Sequence, residues 1–161
     1  MPGRIVTFEE FDSFRDSLGK IVCTSGGFDP IHPGHLSCIT ESKQFGDTLV
    51  IIVNGDDFLT QKKGKPFMDL ETRARIVSYV EGVDYVIPFE IKNDHSVNSA
   101  LERIRPHVFT KGGDRHSGNI PESAVIGKYH IEIISNVGSP KDWSSTNFLK
   151  QWGEFWKKNN P

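Results

Sequence analysis

The sequence predicts a three-layer α/β/α protein built on a five-stranded, mainly parallel sheet. Short apolar, β-rich runs recur at 21–24, 48–53, 85–87, 107–110 and 131–134. Segments with helical spacing or helix-start signals separate them. Short strands alternating with helices imply parallel pairing through right-handed crossovers, with helices on both faces of the sheet. A sheet of this kind receives its ligands at the carboxyl ends of the strands.

Thr7 and Glu10 have the spacing of a capping box, and Phe8, Phe11, Phe14 and Leu18 recur at helical intervals before Gly19. An opening helix over 7–18 follows, its phenylalanines turned inward and Gly19 as its stop. Ile21-Val22-Cys23-Thr24 then reads as a strand entering the glycine turn Ser25-Gly26-Gly27. The next helix begins near Pro33 or Gly34, carries Leu36 and Ile39 on one face and stops at Gly46. After the strand at 48–53, Gln61-Lys62-Lys63-Gly64-Lys65-Pro66 reads as an exposed loop. Asp69 caps a helix running to about Val80, and helices over 96–104 and 121–128 precede the last two strands. With no repeat and no long linker, 1–161 reads as a single domain, an opening helix (7–18) followed by an α/β body (20–158).

The chain has 161 residues, 36% hydrophobic and 25% charged, enough to bury a sizeable core. A formal charge of -2 gives no general attraction to nucleic acid or an anionic membrane, so any phosphate must be held by a local site. Cys23 and Cys38 belong to no CxxC or Cys/His cluster, which fits a reducing compartment. The start Met1-Pro2-Gly3-Arg4 leads into acidic residues rather than an apolar leader, and no run reaches the ~18 apolar residues of a membrane span. A soluble, cytoplasmic protein without membrane or nucleic-acid partners is expected.

Chemistry concentrates in Gly26-Gly27-Phe28-Asp29-Pro30-Ile31-His32-Pro33-Gly34-His35. A helix amino terminus offers unpaired N–H groups and partial positive charge, and phosphates settle there. His32 in the turn and His35 three residues on can bring both imidazoles to one side, and Gly34 leaves room for a phosphate. The plainer alternatives are a solvated turn or a zinc site. Structural zinc takes four protein ligands, and His95, His107, His116 and His130 form no complementary spaced pair.

The segment Gly27-Phe28-Asp29-x-x-His32-x-Gly34-His35 resembles the HxGH motif of the cytidylyltransferase-like nucleotidyltransferase superfamily, and the likeness extends from about Ile21 to Lys150. It implies a Rossmann-like fold and catalytic roles for His32 and His35. It also implies that Lys63, with Lys65 as a second candidate, reaches phosphates from the loop, where composition alone is equally compatible with a solvated basic loop. Glu71-Thr72-Arg73 resembles a Glu-x-Arg whose arginine contacts phosphate; a helix-surface salt bridge is the alternative. In Lys111-Gly112-Gly113-Asp114, Gly112 and Gly113 would let nucleotide approach the backbone, and Asp114 would accept from base or ribose or help orient a metal. Ser144-Ser145-Thr146 resembles a motif opening the last helix, where hydroxyls and N–H groups would bind pyrophosphate; a plain N-cap is the alternative. Some relatives have an arginine just before it, where this chain has Lys141-Asp142-Trp143. The nucleotide-binding set is thus Gly26, Gly27, Phe28, Asp29, Gly34, Lys65, Gly112, Gly113, Asp114, Ser144, Ser145 and Thr146.

The implied reaction is in-line attack of an acceptor phosphate on the α-phosphorus of ATP or CTP, releasing pyrophosphate, with Mg²⁺ carried by the triphosphate. The nearest types are heptose 1-phosphate adenylyltransferases, which share the Lys-Gly-Gly-Asp at 111–114, and glycerol-3-phosphate cytidylyltransferases. The acceptor is then a phosphorylated sugar or alcohol. A non-catalytic nucleotide sensor and a metal-dependent phosphohydrolase are the competing classes. Phe148, Leu149, Trp152, Phe155 and Trp156 trace a stripe on the last helix, read as core or subunit interface, and similar enzymes are commonly dimeric.

Overall fold

Side-chain caps open four of the seven described α-helices of the chain, whose computed structural model describes residues 1–90, 96–113, 122–139 and 144–161. Helix α1 (Phe8–Phe14) begins with the Thr7/Glu10 capping box and runs into a 3-10 turn at Arg15–Ser17. Strand β2 (Ile21–Gly26) follows, preceded at the amino end by a two-residue strand β1 (Arg4–Ile5). Helix α2 (Pro33–Ser42), capped by His32, leads to β3 (Thr48–Asn54). Then come α3 (Asp56–Lys63), α4 (Leu70–Ser78) capped by Asp69, β4 (Tyr85–Phe89), α5 (Asn98–Ile104) and β5 (Val108–Thr110). The described chain finishes with α6 (Ser123–Lys128), β6 (Glu132–Ile134) and α7 (Ser145–Asn159).

The strands form one sheet in the order β1-β4-β3-β2-β5-β6, and every pairing is parallel. The architecture is α/β and Rossmann-like, but with six strands rather than five. The additional strand is β1. Its two residues are exposed and too short to show any alternation, and main-chain pairing to Tyr85 and Val86 holds them on the edge. Gly3 before it donates to Ser78 O at 2.7 Å, and a Cβ there would stand 2.7 Å from Val83 O.

Successive residues of the central strands face opposite layers. Ile21, Cys23, Val50, Ile52 and Phe109 pack with Phe11, Leu101 and Ile104 on one side. Val22, Leu49, Ile51 and Val53 pack with Ile39, Ala74 and Val77 on the other. Strand β3 is buried along its whole length, as befits a strand covered on both faces.

The chain works outward from β2 to β3 and β4, then returns to the other side of β2 for β5 and β6. Strand order therefore reverses between β2 and β5, and the crevice at their carboxyl ends is where such sheets bind ligands. Two expectations change. Residues 61–63 are the last turn of α3 rather than loop, because Asp56 and Asp57 at its start are capped by the Glu90 carboxylate from beyond β4. The stripe on α7 is not core: Phe148, Trp152, Phe155 and Trp156 are 42–59% exposed, because α7 lies outside both apolar layers. No helix among the described residues is long and apolar enough to cross a membrane.

Candidate active site

A cavity of about 530 Å³ opens at the β2/β5 crevice, within the size range of small-molecule sites. Its wall brings together Gly27, Phe28, Asp29, His32, Gly34 and His35 from the turn after β2, Lys63 from α3, Gly112 and Gly113 after β5, and Ser144, Ser145 and Thr146 at the start of α7. These segments are far apart in sequence. Strand order alone makes them neighbours.

The two imidazoles stack with centroids 3.7 Å apart and planes 20° from parallel. His32 Nδ1 accepts from the N–H groups of Gly34 (3.1 Å) and His35 (3.4 Å). His35 Nδ1 accepts in return from His32 N–H at 3.2 Å. This is a capping box written in histidine. An Nδ1 that accepts carries no proton, so each neutral ring holds its hydrogen on Nε2. Each ring then presents one N–H donor from the amino end of α2.

His35 is pushed down to about 3, first by burial and then by His32, Lys62 and Lys63. It is neutral at pH 7. The ring of Phe28 stands edge-on to it at 5.1 Å, part of the apolar packing that buries it. Lys62 and Lys63 close α3, where the helix dipole favours cations, and both line the cavity.

Two expected ligand residues, Arg73 and Asp29, serve the frame of the site. Arg73 is wholly buried rather than on a helix surface, and it does not line the cavity. Its Nε donates to Met68 O (2.9 Å), Nη1 to Gly27 O (2.9 Å) and Asn54 O (2.5 Å), and Nη2 to Asp56 Oδ1 (2.7 Å). It is committed to three carbonyls and a carboxylate, which displaces the expected phosphate contact. The Asp29 carboxylate likewise turns to the protein, accepting from Phe67 N–H (2.7 Å) and Met68 N–H (2.8 Å) with Lys63 Nζ at 3.6 Å. Lys63 also donates to Asp29 O.

Gly26 lies outside the cavity wall. Phe28 has φ +52, and its ring folds back to where a Gly26 Cβ would be 2.9 Å from Cζ. Lys65 is exposed and also outside the wall, because α3 ends at Gly64 with φ +94 before it. Asp114, and with it the expected metal or ribose contact, lies outside the described residues, as do Lys141, Asp142 and Trp143.

Ser144 Oγ accepts from Asn147 N–H at 3.3 Å as an N-cap, and Ser145 Oγ donates to Pro30 O at 2.7 Å. The second bond ties the start of α7 to the histidine turn. Sequence reasoning missed Lys62, Lys111, Cys38, Val137 and Ser139 in the wall. Lys62 and Lys111 stood inside recognised segments, and a helical reading of 56–63 would have put Lys62 beside Lys63. Burial pushes the Cys38 thiol up, so it stays protonated at neutral pH. His107 is engaged elsewhere, its Nδ1 accepting from Ile21 N–H at 2.9 Å. Among the described residues no three His, Cys, Asp or Glu side chains gather as a metal cage.

A cytidylyltransferase-like family model matches residues 23–151, and the chain belongs to that family. Among curated proteins, it is 33% identical over 97% of its length to the bifunctional protein HldE of Aliarcobacter butzleri. It is 36% identical over 89% of its length to that of Sulfurimonas denitrificans. The matches cover 32% and 30% of those proteins, so the chain spans about a third of their length. A lipopolysaccharide core biosynthesis protein from Thermoplasma volcanium superposes with a TM-score of 0.63 at 25% identity, covering 75% of this chain and 98% of that one. Pantoate-beta-alanine ligase from Francisella tularensis shares the fold, with a TM-score of 0.64 at 17% identity over 91% of this chain and 73% of that one.

Arg73→Met should lower stability by about 3–5 kcal/mol in urea unfolding, because acceptors on four segments lose their one buried donor. A loss under about 1 kcal/mol would contradict the framing role. In ¹⁵N NMR, the His35 ring should stay neutral from pH 8 to 5, and a midpoint near 6.5 would contradict its environment. An unfolded histidine titrates near 6.5. The stability His35 confers is therefore complete above that pH and is lost as pH falls toward about 3.

Proposed function

We propose that this chain transfers a nucleoside monophosphate, AMP or CMP, from a nucleoside triphosphate to a phosphorylated sugar or alcohol and releases pyrophosphate. Adenylyl transfer to a sugar 1-phosphate of the heptose type is the reading we favour. It draws on the Lys-Gly-Gly-Asp likeness at 111–114 and on the similarity to a lipopolysaccharide core biosynthesis protein. The observation that carries nucleotidyl transfer itself is the histidine pair, two neutral rings whose Nδ1 atoms are occupied by backbone N–H groups at the opening of α2.

On this reading the acceptor phosphate is already ionised near neutral pH and needs no strong base. The oxygen–phosphorus bond to the acceptor forms as the bond to pyrophosphate breaks, and the protein supplies alignment and charge stabilisation. His32 and His35 donate through Nε2–H to phosphate oxygens that gain charge in the transition state. Lys63, held in place by Asp29, offers fixed positive charge, and Lys62 adds to it. Ser144, Ser145 and Thr146 receive the leaving pyrophosphate, while Gly27, Gly34, Gly112 and Gly113 let the nucleotide approach the main chain. Arg73 acts by fixing the turn that carries the histidines. Mg²⁺ carried in with the triphosphate would supply further charge neutralisation, and no described side-chain cluster is assigned to hold it.

The exposed apolar face of α7 supports a homodimer, and the substrates support a cytoplasmic location for a single nucleotidyltransferase unit over 1–161. A crossed screen of the four nucleoside triphosphates against phosphorylated sugars and alcohols, scored by pyrophosphate and product mass, tests the reading. Nucleotide binding without turnover on any pair would favour a sensor, and acceptor-independent phosphate release would favour a hydrolase. His35→Ala should keep the fold and lower turnover about 100-fold or more, the scale of losing one charge-stabilising donor. Turnover like wild type in that variant would contradict the mechanism.

A further inference from the structure

Helix α2 does more than present the histidines. One turn into it, Ser37 Oγ donates to Gly34 O (3.0 Å) and accepts from Ser139 N–H (3.0 Å). A further turn along, Glu41 Oε2 accepts from Gly138 N–H at 2.8 Å. Gly138 has φ +94, and a Cβ there would lie 2.7 Å from Cys38 N and 2.9 Å from both Cys38 Cα and Ser37 Oγ. The main chain after β6 thus presses directly on α2. The same segment is tied to the end of β5, because Val137 N–H donates to Lys111 O at 3.0 Å.

Val137 and Ser139 line the cavity, as do Cys38 and Gly112. A Cβ on Gly112 would meet Cys38 Sγ at 3.4 Å and Val137 O at 3.5 Å, so these three residues adjoin as one patch of the cavity wall. The patch is main chain, a methyl-bearing side chain and a protonated thiol. Such a wall suits the flat face of a base better than a charged phosphate, which finds its partners beside His32, His35 and the lysines.

We infer that Ser37 and Glu41 are positioning residues for the nucleoside, a clamp that holds the 137–139 wall at a set distance from the histidines on the same helix. The inference rests on the nucleotidyl-transfer reading and adds to it the means by which base and phosphate sites keep one spacing. Glu41 acts through Gly138. It does not line the cavity.

The test compares wild type, Glu41→Ala, Glu41→Gln and Ser37→Ala for MgATP and MgCTP affinity by calorimetry and for KM and kcat, with folding checked by near-UV circular dichroism. Glu41→Ala should weaken nucleotide binding and raise its KM about tenfold, the scale of one lost charge-assisted hydrogen bond, while kcat and the acceptor KM stay within about twofold. Glu41→Gln keeps an acceptor oxygen for Gly138 N–H and should restore affinity to within about threefold of wild type. Ser37→Ala removes the Ser139 bond together with the donation to Gly34 O and should act in the same direction. The clamp is overturned by wild-type affinity in Glu41→Ala and Ser37→Ala, by a fall in kcat at unchanged KM, or by a rise confined to the acceptor KM. Failure of the activity reading looks different, as a wild-type chain that binds nucleotide yet releases no pyrophosphate, and the affinity ratio between wild type and Glu41→Ala then still decides the clamp.

Discussion

The Arg73 guanidinium is the constraint on which the site depends. The carboxyl ends of parallel strands leave main-chain carbonyls without partners where a sheet must open to admit a ligand. Arg73 supplies those partners from a single planar fork, bonding the turn after β2 through Gly27, the end of β3 through Asn54, the start of α3 through Asp56 and the approach to α4 through Met68. A lysine could not span them, since its ammonium is a point donor on a flexible stem. With Arg73 in place, Met68 and Phe67 can offer their N–H groups to Asp29, and Asp29 in turn fixes Lys63.

The electrostatics of the histidine pair follow from that frame. Burial, the neighbouring ring and two lysines all disfavour a charged His35, so the free site holds its positive charge on lysines and its hydrogen-bond donors on neutral rings. A triphosphate entering the cavity meets lysine charge and Nε2–H donors while the Nδ1 atoms stay committed to backbone N–H groups. The pair is thereby matched to a reaction in which charge moves between phosphoryl oxygens and no strong base is required.

Much of this was legible in the sequence because local signals and tertiary demands agree. The Thr7/Glu10 box, the Asp69 cap and the apolar runs at 21–24 and 48–53 all report elements that the fold uses as such. The histidine turn could be read because it follows a strand, opens a helix and resembles a family motif. Helix α3 could not, because Glu90, which caps it, lies 34 residues beyond Asp56. Nor could β1, which depends on main-chain pairing to a distant edge. Arg73 was found but its task was misread: sequence shows a cation near a phosphate site, whereas burial decides whether it faces ligand or carbonyls.

The central claim is that a fixed arginine frame presents two neutral histidines to a triphosphate, and a structure of the chain with an α,β-methylene triphosphate analogue and Mg²⁺ tests it most directly. The account predicts His32 and His35 Nε2 within about 2.7–3.2 Å of phosphate oxygens, with Arg73 still bonded to the Met68, Gly27 and Asn54 carbonyls. Phosphates seated away from the histidines, or an Arg73 side chain released from its carbonyls to meet them, would contradict it.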